Sequence, residues 1–147
     1  MTKKEIAKML NEALELEHAA HVQYLSHAET ICGVESEGVV ARLKEIASDE
    51  AEHAAKFRNL IGAYLEEVPS MGIARTRKAK SLKDILKINL EDELEAVRIY
   101  TRIMDKIAKE RKDLPYCFLR LEHDLRHVIM EEQEHAVELK ALMGKLK

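Results

Sequence analysis

The sequence predicts an all-α protein, a single four-helix bundle with a long crossover between its second and third helices. Hydrophobic residues make up 46% of the 147 residues, whereas five Gly and two Pro leave few places to turn. Apolar residues recur at spacings of three and four in four long stretches. Between the second and third stretches, residues 66–80 form a basic loop that is long enough to run the length of a bundle. We expect one domain spanning residues 1–147.

The first two helices are bounded by capping residues and loops. Thr2 and Glu5 form a capping-box pattern, and the first helix ends near Gly33. The second helix begins after Ser36 and ends before Pro69. The positions predicted to face the core are Ile6, Leu10, Ala13, Glu17, Ala20, Tyr24 and Ile31, followed by Val39, Leu43, Ile46, Glu50, His53, Phe57, Leu60 and Tyr64.

The last two helices show the same spacing. Ser81 and Asp84 form a second capping box, and Asp113 with Pro115 marks the start of the fourth helix. Steps of three and four continue through the whole fourth helix, which predicts bundle packing. The core positions are Leu82, Leu86, Glu93, Ala96, Tyr100, Ile103 and Ile107, followed by Phe118, Leu121, Leu125, Val128, Glu132, His135, Leu139 and Leu142.

Charge and hydropathy narrow the classes of partner. Charged residues reach 35% with a net charge of -3, and the two signs are interleaved, so no nucleic-acid partner is expected. No segment approaches the roughly 20 apolar residues of a membrane span, and the N-terminus lacks the apolar run of a signal peptide. The sequence therefore predicts a cytoplasmic protein with no membrane partner.

The motif Glu-x-x-His occurs twice, at residues 50–53 and 132–135, and places a carboxylate and an imidazole one helical turn apart. Two further carboxylates interrupt the apolar positions of the first and third helices. Burying unpaired carboxylates costs several kcal/mol, so this core needs a compensating positive charge, and two divalent metal ions would supply it. Imidazole with carboxylate oxygens suits iron or manganese. The six candidate ligands are Glu17, Glu50, His53, Glu93, Glu132 and His135.

An internal repeat relates the two halves of the chain. Tyr24 follows Glu17 by seven positions, and Tyr100 follows Glu93 by seven. We expect the halves to meet about a pseudo-twofold axis, so that each metal receives one His, one terminal Glu and a share of two bridging Glu. The two tyrosines are either core packing or hydrogen-bond partners of the ligands.

Over nearly its whole length, the chain resembles the ferritin-like diiron carboxylate proteins, and among them most resembles bacterioferritin. The resemblance implies a ferritin-like bundle in which Asp49 and Glu131 hydrogen-bond the imidazole on the partner helix. It also assigns two terminal pairs and two bridging carboxylates: Glu17 with His53, Glu93 with His135, and Glu50 with Glu132. Other matching positions are Gln23, Tyr24, His27 and Ala28.

The function that this resemblance implies is a ferroxidase with two irons per chain, which oxidises Fe(II) with O2 or hydrogen peroxide for iron storage or detoxification. Bacterioferritins bind haem at a subunit interface through a Met directly after the first bridging Glu. Ala51 stands there in this chain, which argues against haem at that position and leaves another Met as the alternative.

The chain ends at Lys147, without the fifth helix of a 24-subunit shell, and so looks like a mini-bacterioferritin. We expect a dimer-based homo-oligomer, for which a 12-subunit shell or a simple dimer is as plausible as the large cage. Two alternatives stay open: a rubrerythrin-like diiron peroxidase without iron storage, and a structural bundle whose polar positions form only a buried hydrogen-bond network.

Overall fold

The computed structural model describes residues 1–33 and 36–144, which form four long helices and no strand. The helices are α1 (Thr2–Thr30), α2 (Glu37–Asn59), α3 (Leu82–Lys109) and α4 (Phe118–Gly144). This arrangement confirms the predicted all-α class and four-helix bundle. The predicted chain end at Lys147 lies outside the described residues.

The two predicted capping boxes have different outcomes. Ser81 precedes α3 and its side chain accepts a hydrogen bond from the Asp84 amide, at 3.1 Å, as predicted. Thr2 was wrongly predicted to cap α1, since the helix begins at Thr2 itself and Met1 occupies the capping position. From inside the first turn, the Thr2 hydroxyl instead donates to Glu110 at the far end of α3, at 2.8 Å.

Of the remaining boundaries, the end of α2 is as predicted and the start of α4 is shifted. α2 continues into a π-helical turn, Leu60–Tyr64, and then stops before Pro69 as expected. A 3₁₀ turn, Arg111–Asp113, separates α3 from α4. The fourth helix therefore starts at Phe118, a few residues later than predicted, because the chain forms a turn around Pro115.

The crossover between α2 and α3 runs alongside α1, in the same direction as that helix. The Ser70 amide donates to the Asn11 side chain at 2.7 Å, and further on the Arg77 amide donates to Gln23 at 2.7 Å. These bonds span about 18 Å of helix at about 1.5 Å per residue. The predicted long crossover between the second and third helices is therefore confirmed.

The apolar core is divided into two clusters along the bundle axis. One contains Leu10 of α1 and Phe57 of α2, and the other contains Leu43 of α2 and Leu86 of α3. Each helix passes from one cluster to the other through a layer of buried polar side chains. None of the described helices has both the length and the apolar character that crossing a membrane requires.

Candidate metal centre

The structure brings the six candidate ligands together in the polar layer between the two apolar clusters. Each of them is only 1% to 2% exposed to solvent. One carboxylate comes from α1 and one from α3, while α2 and α4 each contribute the carboxylate and imidazole of a Glu-x-x-His motif. Because side chains one turn apart on a helix lie on the same face, both groups of each motif point into the layer.

The six side chains form two overlapping groups, and both groups include Glu50 and Glu132. Within each group, one ligand atom from every residue lies within 4.8 Å of the others. The shared carboxylates are the ones expected to bridge two metals, and each group adds one carboxylate and one imidazole of its own. The groups are Glu17, Glu50, His53 and Glu132, and Glu50, Glu93, Glu132 and His135.

Distances within each group match those between ligands of a common metal ion. His53 Nδ1 lies 3.3 Å from Glu50 Oε1, 3.3 Å from Glu132 Oε1 and 3.6 Å from Glu17 Oε2. His135 Nδ1 lies 3.2 to 3.4 Å from the same two shared oxygens. Ligands about 2.1 Å from a tetrahedral metal ion lie roughly 3.4 Å from one another. The donor atoms are therefore spaced as metal ligands.

The converging atoms have no hydrogen-bond partner among the described residues. A buried polar atom left unpaired costs about 1–3 kcal/mol, and a structural hydrogen-bond network would pair its members. The unpaired atoms therefore argue against the alternative of a structural bundle and fit two metal ions that accept electron pairs from them. They are Glu17 Oε2, Glu50 Oε1, His53 Nδ1, Glu93 Oε2, Glu132 Oε1 and His135 Nδ1.

Two buried tyrosines hold the carboxylates that are not shared. The Tyr24 hydroxyl donates to Glu93 Oε1 at 2.7 Å, and the Tyr100 hydroxyl donates to Glu17 Oε1 at 2.8 Å. The sequence left packing and hydrogen bonding open for these tyrosines. The structure shows both, because the rings are buried in the core and the hydroxyls leave each Oε2 free to face its group.

The outer nitrogens of the imidazoles face carboxylates at the edge of the layer. His53 Nε2 lies 3.1 Å from Glu131, and His135 Nε2 lies 2.9 Å from Asp49. In the neutral imidazole, a carboxylate at this distance favours the proton on Nε2, which leaves the Nδ1 lone pair directed into the group. The structure thus places Asp49 and Glu131 beside the imidazoles on the partner helices, where the resemblance put them.

Burial and charge shift the pKa values of the ligands. Burial, together with the charge of Glu132, raises the pKa of Glu17 to about 7 and that of Glu93 to about 8. Burial lowers the pKa of His53 and His135, but their carboxylate neighbours outweigh it and raise both values. The buried layer therefore holds protons that a bound metal ion would displace.

A second buried polar network links the crossover to the bundle through hydrogen bonds. It was not predicted from the sequence. Gln23 Nε2 donates to Asn89 Oδ1 at 3.0 Å, Asn89 Nδ2 donates to His27 Nδ1 at 2.9 Å, and His27 Nε2 donates to the Arg77 carbonyl at 2.8 Å. The sequence feature that could have indicated this network is Asn89, a polar residue one turn before Glu93 on the buried face of α3.

Residues 7–147 match the ferritin-like domain family, and the chain belongs to that family. No curated protein matches the chain by sequence. Among solved structures, a ferritin-like diiron-carboxylate protein from Bacillus anthracis str. Ames is similar, with a TM-score of 0.88 and 24% identity. The alignment covers 97% of this chain and 98% of that one.

Two bacterioferritins have the same fold. The Desulfovibrio desulfuricans protein, which has a diiron site, aligns with a TM-score of 0.85 and 22% identity over 97% of this chain and 80% of that one. The Rhodobacter capsulatus protein, whose structure has a metal-free dinuclear site and haem iron, aligns with a TM-score of 0.82 and 21% identity over 96% of this chain and 84% of that one.

Haem ligation at the bacterioferritin position does not fit this chain. Ala51 is exposed on α2 and has no atom that can bind iron. Met71, in the crossover, lines the same surface depression and is 95% exposed. Haem ligation by a methionine at another position stays a prediction.

Proposed function

We propose that this protein is a ferroxidase that holds two iron ions between its six buried ligands and oxidises Fe(II) with O2 or hydrogen peroxide. The observation that carries the proposal is the set of six unpaired atoms, arranged as two groups that share Glu50 and Glu132. Carboxylates are hard anionic ligands, so they favour Fe(III) over Fe(II) and thereby promote the oxidation.

The chemistry that iron supplies is one electron from each Fe(II). Reduction of O2 to hydrogen peroxide consumes two electrons and two protons, and reduction of hydrogen peroxide to two waters consumes the same number. Glu17 and Glu93 hold protons in the metal-free layer and release them when metal binds, because only the ionised carboxylates can serve as ligands. The apolar clusters above and below exclude bulk water from the layer.

Anaerobic titration with Fe(II) tests the proposal and should saturate near two irons per chain, one for each group. Glu50→Ala should abolish that stoichiometry and slow aerobic Fe(II) oxidation, because both groups lose a ligand. Glu52→Ala is the matched control, since this exposed carboxylate lies two residues further along α2. Absence of saturation near two irons, or an unchanged oxidation rate in Glu50→Ala, would contradict the proposal.

The use of the oxidised iron depends on assembly. Storage requires a hollow shell, which a dimer-based oligomer of about twelve subunits would provide, whereas a rubrerythrin-like peroxidase could use the same ligands without one. Exposed apolar side chains such as Leu119 and Val137 on α4 support association of subunits. Light scattering combined with iron analysis distinguishes iron storage in a hollow shell from a peroxidase that needs no shell. Cytoplasmic location also stays a prediction.

A further inference from the structure

Two histidines lie one turn apart on the solvent-facing side of α4. The ring centroids of His123 and His127 are 4.3 Å apart, and the ring planes are tilted by 42°. His123 is exposed and His127 is partly exposed, so a dissolved ion can reach both rings. Two imidazoles at this helical spacing can bind one metal ion, as the histidines of the zinc-binding motif H-E-x-x-H do. The pair is therefore a candidate ligand set separate from the six buried side chains.

A mostly buried carboxylate fixes the orientation of the first imidazole. His123 Nδ1 lies 3.0 Å from Asp124 Oδ1, and the Asp124 side chain is only 10% exposed. In the neutral imidazole, a carboxylate at this distance favours the proton on Nδ1, which leaves the lone pair on Nε2. Metal-binding histidines commonly donate their other ring N–H to a carboxylate in this way. His123 therefore presents Nε2 as a ligand atom.

The arginines that flank the pair are each matched by a carboxylate. Arg120 Nη1 lies 3.4 Å from Asp124, and Arg126 Nε lies 2.8 Å from Glu122. Over residues 120–131 of α4, two arginines accompany three carboxylates. The charges of this stretch of α4 therefore do not repel a cation that approaches the two rings.

A second histidine pair, His18 and His21 on α1, has a similar spacing but does not offer the same ligands. His18 Nδ1 donates to a carbonyl of the crossover at 2.7 Å, and His18 Nε2 accepts from Arg58 at 3.0 Å. Hydrogen bonds thus occupy both ring nitrogens of His18. Within residues 1–33 and 36–144, by contrast, His123 Nε2 and the ring nitrogens of His127 form no hydrogen bond with protein atoms.

The distance between the two rings indicates which metal ions fit. A metal ion about 2.1 Å from an imidazole nitrogen lies about 3.2 Å from the centroid of that ring. Two such rings have centroids about 4.6 Å apart when the ligands are at right angles, and about 5.3 Å apart in a tetrahedral site. The observed 4.3 Å is closer to the right angle. Such geometry is typical of Cu(II) and Ni(II), and Cu(II) binds nitrogen ligands the more tightly of the two.

We propose that His123 and His127 bind one late transition-metal ion, preferably Cu(II), at a surface site separate from the candidate metal centre. The two imidazoles are the protein ligands, Asp124 positions the first of them, and water completes the coordination. The site shares no ligand with the two buried groups, so it does not depend on the proposed ferroxidase function.

Titration with Cu(II) tests the site through single-residue variants, because the buried ligands can bind this ion as well. His123→Ala and His127→Ala should each weaken the binding of one Cu(II) per chain by about tenfold or more, since a single imidazole cannot chelate the ion. Asp124→Asn should weaken the same site by about tenfold. His18→Ala is the matched control and should bind Cu(II) as the wild type does.

Crystals soaked in Cu(II) locate the ion directly. Anomalous diffraction at the copper edge should show an ion between the rings of His123 and His127 in the wild type, and none there in His127→Ala. Identical Cu(II) titrations of His123→Ala and the wild type would overturn the proposal, and so would a loss of the same site in His18→Ala. None of these variants removes a buried ligand, so failure here leaves the ferroxidase proposal standing.

Discussion

At the scale of single residues, one hydrogen bond gives the two oxygens of a carboxylate different tasks. Tyr24 binds one oxygen of Glu93, so the other oxygen alone faces the ligand group. Burial raises the pKa of Tyr24 well above its ordinary value, and the charge of Glu93 adds to this effect. The phenol therefore keeps its proton and remains a donor. Tyr100 does the same for Glu17.

Tyr24→Phe and Tyr100→Phe should each weaken metal binding by about 10- to 100-fold, because the carboxylate then rotates without its fixed partner. The change can be measured by titrating Co(II) and following its visible absorption. Phe keeps the buried ring, so the fold should be retained. Tyr116→Phe is the control, since Tyr116 is 86% exposed and should leave affinity unchanged. Equal affinity in all three variants would contradict a positioning role.

The raised pKa values of Glu17 and Glu93 predict how the stability of the metal-free protein depends on pH. In the unfolded chain these carboxyls have their ordinary pKa of 4.5, whereas in the folded protein burial raises the pKa of Glu17 to about 7 and that of Glu93 to about 8. The folded state thus binds more protons over this window, so stability falls as pH rises from about 5 to about 8. The raised pKa values of His53 and His135 act in the same direction.

Urea denaturation of the metal-free protein at about pH 5, 6.5 and 8 measures this effect, and the loss should be on the order of a few kcal/mol. Glu17→Gln should reduce the slope, because a carboxyl that resists ionisation is removed. Stability that is flat or rises across this range would show that the buried carboxyls are ionised in the metal-free state.

At the scale of helices, the backbone conformation of the serine that precedes a helix decides whether its side chain caps that helix. Ser81 has extended angles, with φ -84° and ψ 147°, and its side chain reaches the Asp84 amide. Ser36 occupies the equivalent position before α2 but has helical angles, with φ -91° and ψ -8°, and makes no such bond. A capping side chain needs non-helical backbone angles to fold back over the first turn, so only Ser81 meets this condition.

Ser81→Ala should lower the free energy of unfolding by about 1 kcal/mol, because an amide of the first turn of α3 loses its acceptor. Ser36→Ala is the matched control and should cost less. Urea denaturation of both variants at one pH compares them directly. A larger loss for Ser36→Ala would contradict the assignment of the α3 cap.

At the scale of the whole molecule, the hydrogen bonds around the candidate centre connect the two halves of the chain. Tyr24 of the first half binds Glu93 of the second, and Tyr100 of the second binds Glu17 of the first. The imidazoles also connect the two halves, since each contacts a carboxylate of the other half. Neither half alone can therefore complete the arrangement.

Asn89→Ala should loosen the crossover, because Asn89 is the residue that connects Gln23 to His27. We expect a loss of about 1–3 kcal/mol in stability, since buried polar partners are left unpaired. Faster hydrogen exchange at the Arg77 amide, which bonds to Gln23, provides the local measurement. Asn59→Ala, at an exposed position, is the control. Unchanged exchange at Arg77 would show that the network does not hold the crossover.

Predictions from the sequence succeeded where they depended on periodicity, whereas of the two predicted capping boxes, which depend on local geometry, Ser81 was right and Thr2 was wrong. The spacing of apolar residues predicted all four helices and the buried positions of the six candidate ligands. Thr2 was misassigned because a capping pattern does not reveal whether its first residue lies before the helix or within it. Asn89 was overlooked because one buried amide is not recognisable as part of a network until its partners are known.

The sequence by itself determined the four helices, the long crossover and the six polar positions on the buried faces, because helical periodicity is a local property of the chain. Only the tertiary structure decided which atoms converge and which oxygen each tyrosine holds. It also decided that Gln23, Asn89 and His27 form one hydrogen-bonded network. These features depend on distances between helices, which packing sets and which spacing along the chain does not encode.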